Sequence, residues 1–236
     1  LILPSNTVEG MKELVFKDRY NNLGEYLHGF QYTCGVLRDL ENLEQAAYEL
    51  ALDNQAEGVN YIEVRFAPQL LMDPAIGIDF DRIMHTVNNG LKRAMHEYNA
   101  HDQVQHGHRP PFAYGIINCA MRMFSGKGFS PYYTNLFQLM RDFEPMQVIK
   151  LAAMELVRAS VRLRDEAGIP IVALDLAGQE SGFPAHNFKE VYEYAHQHFL
   201  LKTLHAGEAY GAESVFEAIT ECYADRIGHG YSMFIP

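Results

Sequence analysis

Short apolar segments alternate with longer amphipathic segments along most of the chain. Residues 59–71, VNYIEVRFAPQLL, are rich in Val, Ile, Tyr and Phe, a composition that predicts a β-strand. In residues 79–99, apolar side chains such as Ile83, Val87 and Leu91 recur at helical spacing, which predicts an amphipathic helix. Together the two segments form one β/α unit.

The same alternation continues to the end of the sequence. It implies a protein of the α/β class, with a parallel sheet that is either doubly wound or closed as a (β/α)8 barrel. No glycine-rich phosphate-binding fingerprint follows a predicted strand, which favours the barrel. Further strands are predicted at 112–122, 169–178, 201–207 and 225–230, and further helices at 22–37, 39–58, 145–168, 187–199 and 212–224.

Composition and charge exclude several classes of protein. A formal net charge of −11 argues against nucleic acid as the main partner, because binding phosphates requires a positive surface. No apolar run reaches the length of about 18 residues that is typical of a transmembrane helix, so no membrane partner is expected. Three scattered cysteines predict neither a disulfide framework nor a cysteine-based zinc site, and they fit a reducing compartment.

Polar residues stand where a parallel barrel carries its chemistry, at the carboxyl ends of the strands. His205 and Glu208 end the strand at 201–207, and His229 lies on the next strand. Neutral imidazole is a common ligand of catalytic metal ions, and a Glu one turn further on could reach a metal-bound water or the substrate. Both histidines are equally compatible with structural hydrogen-bonding roles. Spacing alone would also allow iron, manganese or cobalt instead of zinc.

Two other polar groups have competing interpretations. Arg65, near the end of the first strand, could bind substrate, or it could brace Glu63 or another carboxylate inside a barrel. The cluster of His101, His106 and His108 has the composition of a metal site, but its polar, proline-bounded loop predicts solvated surface.

Four motifs follow one another along the chain: YIEVRFAPQL (61–70), DLAGQE (175–180), HAGE (205–208) and RIGHG (226–230). Their order and spacing resemble those of the adenosine deaminase family of zinc hydrolases, and the resemblance extends over nearly the whole chain. It implies a (β/α)8 TIM barrel of the metallo-dependent hydrolase type with one Zn²⁺ in each active site.

The resemblance also implies roles for individual residues. His205 would be a zinc ligand, and Glu208 would be the general acid that protonates the purine ring nitrogen. His229 would help to position and activate the zinc hydroxide, and the backbone amide of Gly178 would bind the purine. The implied reaction is hydrolytic deamination, in which hydroxide adds to C6 of the purine and ammonia leaves.

The implied substrate is a small-molecule purine nucleoside. Adenosine, and 2′-deoxyadenosine with it, would be deaminated in cytoplasmic purine salvage. Adenine, AMP and aminofutalosine deaminases share much of the site, but DLAGQE with HAGE is most similar to the adenosine branch. The segment LGEYLHGF also resembles the family's apolar lid helix, although the same spacing is equally compatible with an ordinary core face. Its candidates to cover the ribose are Leu23, Tyr26, Leu27 and Phe30.

The chain departs from the family pattern at both ends. The family's first strand carries a His-x-His pair and its last strand an Asp pair, and neither is present, so three of the four expected protein ligands are missing. We therefore expect residues 1–236 to form a single barrel domain that lacks the first and last strands and has two open sheet edges.

A catalytic zinc needs about three protein ligands. By themselves, the 236 residues are therefore expected to be inactive and to be part of a longer deaminase. The rival interpretation is a truncated, non-catalytic protein that serves as a purine-binding or interaction module.

Overall fold

The computed structural model describes residues 2–234, which contain a five-stranded sheet with every pair of neighbours parallel. The order of the strands in the sheet is their order in the sequence, and each lies within the range predicted for it. The strands are β1 Tyr61–Phe66, β2 Ala113–Met121, β3 Ile171–Ala177, β4 Leu201–Ala206 and β5 Arg226–His229.

The strands are connected by helices whose ends are encoded locally. The helix α8 (Pro145–Ala167) begins with Pro145, whose fixed φ suits the first helical position, and Gly168 ends it with φ +65°. Asp79 caps the helix α5 (Phe80–Asn99) by accepting a hydrogen bond from the backbone N–H of Arg82. The helices are α1 Val8–Leu14, α2 Leu23–Leu27, α3 Phe30–Leu37, α4 Leu40–Ala56, α5 Phe80–Asn99, α6 Asp102–Gln105, α7 Pro131–Leu139, α8 Pro145–Ala167, α9 Lys189–Gln197 and α10 Ala212–Thr220.

The sheet is strongly curved. In a flat sheet β1 and β5 would lie about 19 Å apart, four strand spacings. Instead, Nη1 of Arg226 on β5 lies 2.6 Å from Oε2 of Glu63 on β1. The two outer strands thus approach each other across the concave face, and the sheet forms a half-barrel. This confirms the predicted α/β barrel class, incomplete as expected, whereas the single domain over 1–236 stays a prediction.

The core lies between the sheet and the helices that cover it. Residues 114–120 of β2 are buried without interruption, the pattern of a central strand in a parallel sheet. Ile83 on α5 and Leu156 on α8 are fully buried beneath the sheet. Within residues 2–234, β1 and β5 each pair on one side only, which makes them the edges of the sheet. No helix in this range is both long and apolar enough to cross a membrane.

The helix predicted at 22–37 is divided into α2 and α3. The division falls at Gly29, which is buried so closely that an added methyl group would lie 3.3 Å from Cε1 of Phe16. Tyr26 and Phe30 are 44% and 42% exposed. The core-face interpretation of this segment is therefore wrong for these two aromatic residues.

A carboxylate network anchors the start of α2. Glu25 accepts hydrogen bonds from the backbone N–H of Asn21 at 2.7 Å and from Nζ of Lys17 at 3.0 Å. These contacts lower the pKa of Glu25 from 4.5 to about 2, and the hydrogen bond from the Asn21 backbone has the largest effect. Because the folded pKa lies below the unfolded value, their contribution to stability is complete above about pH 4.5 and is lost as the pH falls through about 2.

We expect carboxyl NMR to give a titration midpoint of about 2 for Glu25. The variant Lys17→Met should raise that midpoint without bringing it to 4.5, because the Asn21 amide remains. A midpoint of 4.5 in the unmodified protein would show that the network does not form.

Candidate active site

Two of the predicted site residues lie side by side on neighbouring strands. The register of β4 and β5 pairs His205 with Gly228 and Ala206 with His229. The ring centroids of His205 and His229 are 5.1 Å apart. The parallel register of the two strands thus brings His205 and His229 together.

The turn after β4 brings the third predicted residue to the same place. Gly207 has φ +69°, and its backbone N–H donates to Oγ of Ser214 at 2.7 Å. Glu208 follows, and its Oε2 lies 3.6 Å from Nε2 of His229. The side chains of His205, Glu208 and His229 are 21%, 22% and 30% exposed, so solvent reaches all three.

A buried carboxylate, Asp175 at the end of β3, lies behind His205. Its Oδ2 lies 2.8 Å from Nδ1 of His205, at ion-pair distance but without the angle of a straight hydrogen bond. The same oxygen accepts from Sγ of Cys119 at 3.3 Å and from Nη1 of Arg65 at 3.4 Å. Of the alternatives for Arg65, the structure shows the bracing of a carboxylate, and the partner is Asp175 and not Glu63.

The surroundings of Asp175 favour its negatively charged form. Burial raises the pKa of Asp175, but the contacts with His205, Arg65 and Cys119 together outweigh burial, so the pKa is lowered from its ordinary value. Burial, reinforced by the neighbouring carboxylate, holds the pKa of the Cys119 thiol well above its usual range, so this thiol remains a donor. The site thus favours a negatively charged carboxylate beneath His205.

The position of Asp175 favours one ring nitrogen of His205 as a metal ligand. With Nδ1 turned to the carboxylate, Nε2 is the nitrogen directed away from it, the arrangement found in metal-bound histidines supported by a carboxylate. Within the part of the chain that the structure describes, no three His, Cys, Asp or Glu side chains form a group that could hold a metal ion. His205 therefore fits as a single ligand and not as a complete zinc site.

Gly178 lies just beyond the end of β3, next to Met121 and Arg122 at the end of β2. Its φ of +103° is one that residues with a side chain rarely adopt. An added methyl group would also lie 3.4 Å from Cε of Met121. The site therefore requires glycine here for backbone reasons, and its binding of purine stays a prediction.

The segment that resembles a lid leads into the carboxyl side of the sheet. Arg38, directly after α3, donates to the carbonyl oxygen of Leu70 at 3.4 Å and to that of Phe129. These carbonyls belong to the loops that follow β1 and β2. Tyr26 and Phe30 make an edge-to-face contact with ring centroids 5.7 Å apart. A covering role stays a prediction for Leu23, Tyr26, Leu27 and Phe30.

The bend at Gly207 supports a test of how the site is built. We expect Gly207→Ala to lower the free energy of unfolding by about 1–3 kcal/mol, because alanine is strained at φ +69°. Its methyl group would also lie 2.9 Å from Cγ2 of Val215. Gly58→Ala is the matched control, since Gly58 has φ +84° with open space around it. Urea unfolding should give the larger loss for Gly207→Ala, and equal losses would contradict the proposed packing constraint.

Two buried charged residues lie next to the site, and neither of them was predicted from the sequence. Arg122, just after β2, is 1% exposed, and Glu180, just after β3, is 2% exposed. Charged side chains are almost never fully buried without partners. Glu180 is the last residue of the DLAGQE motif. The signal that could have identified it is a charged residue that follows closely after a predicted strand.

Comparison with known proteins places the chain among deaminases. Residues 1–234 match the family model described as adenosine deaminase. The adenosine deaminase of Mycobacterium tuberculosis is 31% identical over 97% of this chain and 52% of its own length. That of Mycobacterium leprae is 33% identical over 97% of this chain and 53% of its own length. The chain thus spans about half the length of the curated relatives it matches.

Solved structures share the fold at low sequence identity. The adenine deaminase of Arthrobacter aurescens has a TM-score of 0.70 at 19% identity, covering 100% of this chain and 58% of that one. The Arabidopsis ADAL protein complexed with IMP has a TM-score of 0.68 at 21% identity, covering 94% and 55%. An amidohydrolase with bound Zn has a TM-score of 0.62 at 18% identity, covering 88% and 46%.

These solved neighbours share the fold of the chain, and the match over residues 1–234 decides the family. The chain belongs to the adenosine deaminase family.

Proposed function

We propose that the protein catalyses the zinc-dependent hydrolytic deamination of adenosine to inosine and ammonia, acts on 2′-deoxyadenosine in the same way, and serves cytoplasmic purine salvage. The observation that carries the proposal is the convergence of His205, Glu208 and His229 at one edge of the sheet, with Asp175 fixed behind them. The curated relatives named adenosine deaminase support this choice of substrate.

The metal would act as the source of the nucleophile. Bound zinc lowers the pKa of a water molecule to about 7 and so supplies hydroxide at neutral pH. In this chain Nε2 of His205 is the atom offered to the metal, and Asp175 holds the ring in place. A solved neighbour with bound Zn supports the choice of metal. We propose that the remaining ligands lie outside these 236 residues, and that the residues by themselves are inactive.

Glu208 and His229 would handle the protons. Glu208 would donate a proton to the purine ring nitrogen, which makes C6 more electrophilic as hydroxide adds to it, and the amino group on C6 would then leave as ammonia. His229, 3.6 Å from Glu208, orients the attacking oxygen and stabilises charge at the attacked carbon. The backbone amide of Gly178 binds the purine edge at the neighbouring strand end.

The partner would be a small purine compound and neither nucleic acid nor membrane. The ADAL neighbour was solved in complex with IMP and with GMP, which supports purine binding in this fold. The net charge of −11 opposes the binding of polynucleotides. The three cysteines are free and buried, as suits the reducing cytoplasm.

Two other functions remain as alternatives. Neighbours named adenine deaminase and N6-mAMP deaminase favour a deaminase that acts on another aminopurine, such as adenine or aminofutalosine. The lack of a three-ligand group within residues 2–234 favours a truncated, non-catalytic purine-binding or interaction module.

The test is to express the chain alone and with its flanking coding sequence, to measure bound metal by elemental analysis, and to follow adenosine by ultraviolet absorbance. We expect zinc near one equivalent and adenosine conversion in the longer product only. If adenine or aminofutalosine is converted and adenosine is not, the proposed substrate is wrong. If the longer product is soluble and metal-free and leaves every aminopurine unchanged, the proposal that the protein is an enzyme is wrong.

A further inference from the structure

Glu180 is a buried carboxylate for which the proposed reaction has no use. It lies in the loop after β3, two residues beyond Gly178, and it is 2% exposed. A carboxylate withdrawn from water to this degree requires compensating donors. Its donors identify the segment on which it acts.

All three donors come from the turn that carries Glu208. Oε2 of Glu180 accepts hydrogen bonds from the backbone N–H groups of Glu208 at 3.1 Å, Ala209 at 2.8 Å and Tyr210 at 2.9 Å. Successive N–H groups that converge on one oxygen form an anion-binding concavity, and hydrogen bonds to a charged acceptor are stronger than neutral ones. Glu180 therefore holds the backbone at the point where the Glu208 side chain begins.

Arg122 holds the preceding part of the same segment. Its Nη2 donates to the carbonyl oxygen of His205, and its Nη1 donates to that of Phe183 at 2.9 Å. Burial lowers the pKa of Arg122, and the nearby Glu180 charge opposes that effect. Two buried charges from the ends of β2 and β3 thus fix residues 205–210.

The fixed backbone determines where the Glu208 side chain points. The turn at Gly207, with φ +69°, leaves Glu208 partly buried, with Oε2 3.6 Å from Nε2 of His229. Glu208 has three further rotatable bonds, so its carboxyl group stays near His229 only if its own backbone is held. The amide held by Glu180 is that of Glu208 itself.

We propose that Glu180 is a positioning residue that orients Glu208 toward His229 and the substrate through the amides of residues 208–210. The inference rests on the acid role proposed above for Glu208. Glu180 touches no reacting atom, so its removal should impair the chemical step and leave purine binding largely intact.

The experiment compares Glu180→Met, which removes the acceptor, with Glu180→Gln, which keeps a neutral acceptor oxygen. Glu190→Gln, an exposed carboxylate on α9, is the matched control. Amide hydrogen exchange is measured by mass spectrometry on peptides that span 205–211, in the protein expressed with its flanking coding sequence. We expect exchange there to be about tenfold faster in Glu180→Met. The increase should be smaller in Glu180→Gln, and the exchange rate should be unchanged in Glu190→Gln. Peptides from α8 report any global loss of stability.

Steady-state kinetics supply the second measurement. We expect kcat for adenosine to fall about 10²-fold in Glu180→Met with KM within about threefold, and Glu180→Gln to recover part of kcat. Unchanged exchange at 205–211, or a loss that appears in KM instead of kcat, would overturn the positioning role. If the unmodified protein does not deaminate adenosine, the proposed function fails, whereas the exchange result still decides whether Glu180 holds the segment.

Discussion

Replacing Glu208 with Gln is expected to lower kcat for adenosine by about 10² to 10⁴-fold. Glutamine has nearly the same shape and keeps an oxygen 3.6 Å from Nε2 of His229, but it has no acidic proton to transfer to the purine ring. Because binding depends on other groups, KM should change little. The measurement is the decrease in adenosine absorbance in the protein expressed with its flanking coding sequence.

Glu213→Gln is the matched control for this substitution. Glu213 is an exposed carboxylate in the first turn of α10, five residues beyond Glu208, and its loss should leave kcat unchanged. Equal rates for Glu208→Gln and Glu213→Gln would remove Glu208 from the chemical step. A rise in KM alone would assign Glu208 to purine binding.

Replacing Arg122 with Met is expected to lower the free energy of unfolding by about 3–5 kcal/mol. Methionine fills a similar volume but donates no hydrogen bonds, so the carbonyls of Phe183 and His205 lose their donors. Glu180 would also lose a buried positive neighbour. The effect is measured as the shift of the urea-unfolding midpoint.

Two further arginine variants distinguish the effect of burying the charge on the free energy of unfolding from the effect of the charge itself. Arg162→Met removes an exposed pair with Asp81, which we expect to cost about 1 kcal/mol or less. Arg122→Lys should be intermediate, because an ammonium group cannot reproduce the two-pronged contact of a guanidinium. A loss for Arg122→Met no larger than that for Arg162→Met would show that the buried guanidinium contributes no more than a surface charge.

The strands and long helices could be predicted because their signals are local. The helix α8 carries its own start in Pro145 and its own end in Gly168. Short elements lack such signals. The helix α1 has seven residues and none is buried, and α7 has nine residues of which Tyr133 is buried, so neither gave a hydrophobic pattern long enough to recognise.

The candidate site was predictable only as far as strand order determines it. Neighbouring parallel strands have their carboxyl ends on the same side of the sheet, and this brings His205 and His229 together. The contacts of Glu180 with the turn after β4 depend on two loop conformations, at Gly178 with φ +103° and at Gly207 with φ +69°. Periodicity along the chain contains no information on how two loops meet, so these contacts could not be foreseen.

His229 has φ +68°, in the left-handed region that residues with a side chain seldom occupy. Asparagine and aspartate tolerate this conformation best among residues other than glycine, and β-branched residues tolerate it worst. Asparagine and aspartate codons each differ from histidine codons by a single base. A single-base substitution at this position can therefore remove the imidazole, and with it the role proposed for His229, while the backbone keeps its conformation.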